Sequence, residues 1–148
     1  MKTDSEYQKL LDSSFRFLSF RPRSEKEIGT FLQKKNSRLA EKVTERLREL
    51  GYVDDVKFVQ WWVSQRQGRK PKGMRMIIYE LLGKGVARDI IEQVLSSEAE
   101  NQEELAKRAL QSKIKTIQDH KKLMNFLLRR GFDASTARHA VDESLGKR

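Results

Sequence analysis

The chain contains no cysteine. That removes disulfides, thiolate metal ligands and Cys–His nucleophiles, and it fits a reducing, cytoplasmic setting. Histidine occurs only as His120 and His139, which falls short of the roughly four ligands a zinc site needs. No apolar run approaches the roughly eighteen residues of a membrane span, and none follows Met1 as a signal peptide would require. Strand-like alternation is absent, as are a Gly-x-x-x-x-Gly-Lys phosphate loop and a Gly-x-Ser-x-Gly elbow. The acidic pairs Asp54–Asp55 and Glu25/Glu27 stand where helices begin, so capping accounts for them. The sequence offers no catalytic residue, no metal site and no cofactor site, and predicts a non-enzyme.

What is abundant is charge. Lysine and arginine number 31 against 21 acids, for a net charge of +10, and 35% of the chain is charged while 37% is hydrophobic. So thin an apolar supply suits shallow helix-on-helix packing. The basic excess points to a nucleic acid or an acidic surface as partner.

The two prolines and eight glycines fall almost entirely between helical patterns, which makes the fold all-α. Residues 51–86 carry the clearest pattern. Asp54 or Asp55 caps a helix whose apolar stripe is Phe58, Val59, Trp62 and Val63. Trp62 belongs to that stripe, whereas Trp61 is expected at a module boundary or part-exposed. Gly68, Pro71 and Gly73 interrupt the helix, and Met74, Ile77, Ile78, Leu81 and Leu82 restart it before Gly83 and Gly85.

Upstream, a helix over 6–20 carries Leu10, Leu11, Phe15, Leu18 and Phe20, and Arg21-Pro22-Arg23 stops it. Ser24-x-x-Glu27 is a capping box for a short helix with Ile28, Phe31 and Leu32, ending near Asn36. Leu39, Val43, Leu47 and Leu50 space a third helix, closed by Gly51. Downstream, Val86, Ile90, Ile91, Val94 and Leu95 form one stripe. Asn101-x-x-Glu104 offers a cap before Leu105, Ala109, Ile114 and Ile117. Asp119 opens a helix with Leu123, Met124, Leu127 and Leu128 that Gly131 closes. Asp133 or Ser135 opens the last, with Ala137, Ala140, Val141 and Leu145.

These segments repeat. Pro71 minus Pro22, Ile77 minus Ile28 and Leu81 minus Leu32 are each 49; Leu123 minus Ile77, Gly131 minus Gly85 and Val141 minus Leu95 are each 46. The chain therefore reads as three tandem three-helix modules over 1–53, 54–98 and 99–148, stacked as an elongated, curved array. A compact globule of this length would have a radius of gyration of about 15 Å, and the array is expected to exceed it.

Between 66 and 75 stand five cations, Arg66, Arg69, Lys70, Lys72 and Arg75, with no acid among them. Arg21 and Arg23 occupy the equivalent turn of the first module, Lys72 minus Arg23 again being 49. These seven are the candidate partner- and DNA-binding edge. Lys121, Lys122, Arg129 and Arg130 are secondary candidates in the third module. If the edge follows DNA, phosphate contacts dominate and log affinity falls with log salt at a slope near about −4 to −5.

The central stretch also resembles a known family. Gly51-Tyr52-Val53-Asp54-Asp55, Phe58, Trp62-Val63, Arg66, Gly73, Arg75, Leu81 and Gly85-Val86, preceded by Arg21-Pro22-Arg23-Ser24-Glu25-Lys26-Glu27, are similar to the ordered motifs of the RecX family. The resemblance covers residues 16–95 well and the last fifty in architecture. It implies a cytoplasmic bacterial regulator, taken as a monomer, that binds RecA–single-stranded DNA filaments. Such a regulator inhibits recombinase and co-protease activity along with ATP hydrolysis by RecA. It would touch single- or double-stranded DNA weakly and without sequence preference, and would make no use of a membrane. The alternative from the residues alone is a stand-alone nucleic-acid-binding helical module; a scaffold for an acidic protein is a third.

Overall fold

A computed structural model describes residues 2–68, 70–97 and 101–146 of the chain. Eight helical elements follow one another, and no strand occurs among the described residues: α1 Lys2–Phe20, α2 Glu25–Glu49, α3 Asp55–Arg66, α4 Met74–Gly83, α5 Arg88–Leu95, α6 Gln102–Leu110, α7 His120–Arg129 and α8 Ala134–Ser144. The element α2 is two helices in line. Asn36 breaks it with φ −161° and ψ 91°, and its Oδ1 accepts from Leu39 N–H to restart the second half. The predicted end of a short helix near Asn36 is this break.

Most starts are capped as the side chains dictate. At Ser24 both halves of the capping box form: Glu27 N–H donates to Ser24 Oγ at 3.1 Å, and Ser24 N–H donates to Glu27 Oε1 at 3.0 Å. Asp54, rather than Asp55, caps α3, accepting from Val56 and Lys57 N–H. Asp119 caps α7 and Asp133, rather than Ser135, caps α8. The Asn101 cap does not form: that residue is already helical in backbone and its side chain makes no capping bond. Among the middle helices, the first turns of α4 and α7 hold no acid, although their second residues are Arg75 and Lys121. A cation there faces the positive helix end, at a cost of about 0.3–1 kcal/mol.

Each helix trio has its own core. Leu10, Leu11, Ile28, Leu32, Leu39, Val43 and Leu47 pack together in the first. Phe58, Val59, Trp62, Ile77, Leu81, Ile91 and Leu95 do so in the second. The third is Leu105, Leu110, Leu123, Leu127, Phe132, Ala137 and Val141. Ile114 and Ile117 lie beyond the end of α6, in turns that lean on this last core. Phe20, Leu50, Leu82 and Leu128, assigned above to apolar stripes, are exposed. Adjacent helical residues point about 100° apart, so Leu81 and Leu127 take the core and their following leucines cannot. Of the two places expected for Trp61, it takes the part-exposed one, leaning on the second core, 6.1 Å centroid to centroid from both Phe58 and Trp62.

Three small cores in line leave more surface than one large core. The chain exposes 9504 Å², where a compact monomer of 17.4 kDa would expose about 7,900 Å². The protein is an elongated all-α helical repeat.

Candidate binding interface at the basic turns and module junctions

The modules meet through their middle helices, and the same register is used twice. At the first junction, Ser24 Oγ donates to Lys84 O at 2.7 Å, joining the start of α2 to the end of α4. At the second, Gly73 N–H donates to Arg130 O at 2.8 Å, joining the start of α4 to the end of α7. Gly73 minus Ser24 is 49 and Arg130 minus Lys84 is 46, the two sequence periods. The repeat is thus physical, since one contact recurs between equivalent residues.

The second junction is the more elaborate. Arg75 N–H donates to Gly131 O at 3.1 Å, Arg130 Nε donates to Pro71 O at 3.0 Å, and its Nη2 donates to Lys70 O. Met74 N–H donates to Gln102 Oε1 at 2.9 Å, and Arg108 Nη2 donates to Gln67 O at 2.7 Å. A Cβ at Gly73 would overlap the backbone of Gly131 and Phe132, so only glycine permits this approach. Gly131 itself has φ 101° and closes α7 in the left-handed conformation, as Gly51 and Gly85 do at 82° and 81°.

The candidate cations divide into held and free. Arg21 pairs with Glu27. Arg23 lays its guanidinium 3.8 Å from the Phe17 ring centroid and donates to Phe17 O. Burial, with Arg21 nearby, lowers the Arg23 pKa from its usual value, against a smaller opposing pull from Glu27. Arg66 and Lys72 both reach Glu80, at 2.9 Å each, and Trp62 Nε1 donates to the same carboxylate at 3.2 Å. Arg66 also stacks on Trp62, 4.2 Å from the ring centroid. Burial alone would raise the Glu80 pKa; the three donors, Arg66, Lys72 and Trp62, bring it below the ordinary carboxylate value. Lys70, Arg75, Lys121, Lys122 and Arg129 are exposed, and none of the five has an ion pair. Arg75 has Asp133 as an electrostatic neighbour. Arg69 lies outside the described residues. Arg130 is committed to the junction.

Sequence reasoning missed Glu80. It lies outside the acid-free window of 66–75 yet folds back onto it, because the loop returns α4 alongside α3. The signal was the spacing of Glu80 five residues beyond Arg75 on a helix that must pack against Trp62. His120 sits with Nε2 2.8 Å from Asp142 Oδ1, tying α7 to α8. Among the described residues no group of three His, Asp or Glu is arranged to hold a metal, and no helix is long and apolar enough to cross a membrane.

What the geometry defines is a repeat of three-helix modules, joined middle helix to middle helix, with cations free of ion pairs at or beside the middle-helix ends. Residues 54–95 match the model of the RecX second three-helix domain. A regulatory protein RecX from Prosthecochloris aestuarii is 36% identical over 149 residues, covering 97% of this chain and 98% of the relative. One from Chlorobium phaeobacteroides is 34% identical over 145 residues, covering 95% and 96%. The crystal structure of RecX from Lactobacillus salivarius superimposes with a TM-score of 0.82 at 20% identity, covering 97% of this chain and 98% of that one. The chain belongs to the RecX family.

Proposed function

We propose that this chain regulates RecA: it binds RecA–single-stranded DNA filaments in the cytoplasm, as a monomer, and inhibits recombinase and co-protease activity together with ATP hydrolysis by RecA. Its working units are the modules 1–53, 54–98 and 99–148. It catalyses nothing. The body lies along the filament groove, bridges protomers and blocks incoming DNA or filament growth. The supporting observation is an elongated repeat, from a family whose relatives are named regulatory proteins, with unpaired cations at or beside the ends of the middle helices of successive modules. Lys70, Arg75 and Arg69 contact DNA phosphates or an acidic RecA surface. Lys121, Lys122 and Arg129 add to this from the third module. Arg21, Arg23, Arg66 and Lys72 shape the turns and supply positive potential from their held positions.

The test is RecA-dependent ATP hydrolysis on single-stranded DNA with this protein titrated in. Hydrolysis is expected to fall to a plateau as the filament saturates. Unchanged hydrolysis, together with tight binding of naked DNA, would instead make the chain a stand-alone nucleic-acid-binding module.

A further inference from the structure

The second residue of every middle helix is a cation: Lys26 in α2, Arg75 in α4 and Lys121 in α7. They are equivalent by the repeat, since Arg75 minus Lys26 is 49 and Lys121 minus Arg75 is 46. All three are exposed and none forms an ion pair. Helix stability opposes this arrangement, because the first turn of a helix favours acids. The acids beside Lys26 are engaged elsewhere, Glu25 by Arg48 and Glu27 by Arg21 and Lys84. Asp119 beside Lys121 is spent on capping α7, and Asp133, near Arg75, on capping α8.

The junctions align these cations. The Lys26 side chain lies over Gly85, where an added Cβ would meet it, and Arg75 N–H bonds Gly131 O. Both cations therefore start a middle helix beside the glycine that closes the next one, Lys26 by its side chain and Arg75 by its backbone, with Met76 the side chain nearest Gly131. Nine residues of helix separate Arg75 from Lys84, about 14 Å, so successive rungs are about one middle helix apart. One turn beyond each cation, on the same helix face, stand Thr30, Tyr79 and Asn125, all exposed, and Tyr79 is 75% exposed. A single file of cations with an open aromatic in the middle module suits unstacked bases on one strand. A duplex would leave that ring without a base face to stack on.

We propose that this face of the middle helices is a binding track for one strand of nucleic acid, with Lys26, Arg75 and Lys121 each on a phosphate, the contacted phosphates lying two or more nucleotides apart, and Tyr79 stacking on a base between them. The track deepens the regulatory reading and rests on it only for its biological setting.

The test uses the full chain and a fluorescein-labelled 20-nucleotide deoxythymidylate strand, followed by anisotropy across salt concentrations. Replacing Lys26, Arg75 and Lys121 together by Ala is expected to weaken binding and to flatten the salt slope by about 2, three phosphates at about 0.7 each. Tyr79→Ala is expected to weaken binding about tenfold with the salt slope unchanged. The melting temperature of the triple variant should not fall, since the change relieves repulsion at three helix starts. Unchanged affinity and slope in the folded triple variant would overturn the track. So would duplex DNA binding more tightly than the single strand through the same residues, or polyglutamate competing as well as the oligonucleotide. The RecA assay is read separately: a wild-type protein that binds the strand but leaves hydrolysis unchanged overturns the regulator reading alone, whereas a wild-type protein that inhibits hydrolysis while the triple variant binds the strand as well as wild type does overturns the track alone.

Discussion

The two junctions use one register and two chemistries. Between the first and second modules the bonds come from side chains: Ser24 Oγ to Lys84 O, Glu25 N–H to Asp55 Oδ1 at 2.9 Å, and Lys84 Nζ to Glu27 at 3.7 Å. Between the second and third, side chains of Gln102, Arg108 and Arg130 also reach across, but the closest approach is backbone on backbone, at Gly73 and Arg75. Side-chain bonds are adjustable, and those of Asp55 and of the Lys84–Glu27 pair are ionisable. Backbone bonds through a glycine are neither. The first junction should therefore respond to pH and to conservative substitution, and the second to added volume.

The largest expected effect falls on the second junction. Gly73→Ala places a Cβ against the backbone of Gly131 and Phe132, which cannot move aside as a side chain would. Overpacking of this kind costs about 1–3 kcal/mol, and thermal unfolding should show a drop of that order, with looser packing of the third module in hydrogen exchange. An unchanged melting point would mean that the close approach is dispensable. Ser24→Ala tests the first junction. It removes both an N-cap and a bond to Lys84 O at a buried position, and should cost about 1–2 kcal/mol. Loosening of the third module in hydrogen exchange, as for Gly73→Ala, would erase the contrast between the junctions.

Glu80→Gln comes next. It leaves an acceptor for Trp62 but discharges the group that Arg66 and Lys72 hold, so stability should fall by about 1 kcal/mol at neutral pH. Because the folded pKa of Glu80 is lowered, its contribution is present above the unfolded pKa and disappears as pH falls through the folded one. The difference between wild type and variant should close on acidification, measured by urea unfolding across pH. The smallest effect is on Asp55, whose pKa is raised chiefly by burial, with Glu25, Asp54 and Glu27 adding repulsion. A carboxyl with a raised folded pKa favours folding while protonated, and loses that contribution as pH rises through the folded value. Asp55→Asn keeps an acceptor for Glu25 N–H, so it should be neutral to slightly stabilising at pH 7 and indistinguishable at pH 3. Destabilisation at pH 7 would show that the ionised carboxylate strengthens the junction.

Much of this was legible in the sequence because local chemistry and tertiary structure agree. Pro22 and Pro71, Gly85 and Gly131, and the capping residues Ser24, Asp54, Asp119 and Asp133 mark turns whose backbone needs those residue types. The repeat periods also relate one contact at the two junctions, Ser24 with Lys84 and Gly73 with Arg130. What was hidden depends on how helices face one another. Leu82 and Leu128 look apolar in a stripe, but only packing decides which of two neighbouring leucines is buried. Asn101 fits a capping pattern, yet the chain enters α6 already helical there. The acid-free loop looked like five free cations, whereas Glu80 returns along α4 to hold two of them. The site was therefore half-visible: sequence identified where positive charge gathers, and the structure sorted Arg66 and Lys72, which are held, from Lys70 and Arg75, which are free.

That sorting can be tested directly in inhibition of RecA strand exchange, comparing Lys70→Ala/Arg75→Ala with wild type at matched folding by circular dichroism. If free cations on successive modules engage the filament, the variant should need about tenfold more protein for half inhibition, and the gap should narrow as salt rises. Equal potency at low salt would contradict the account.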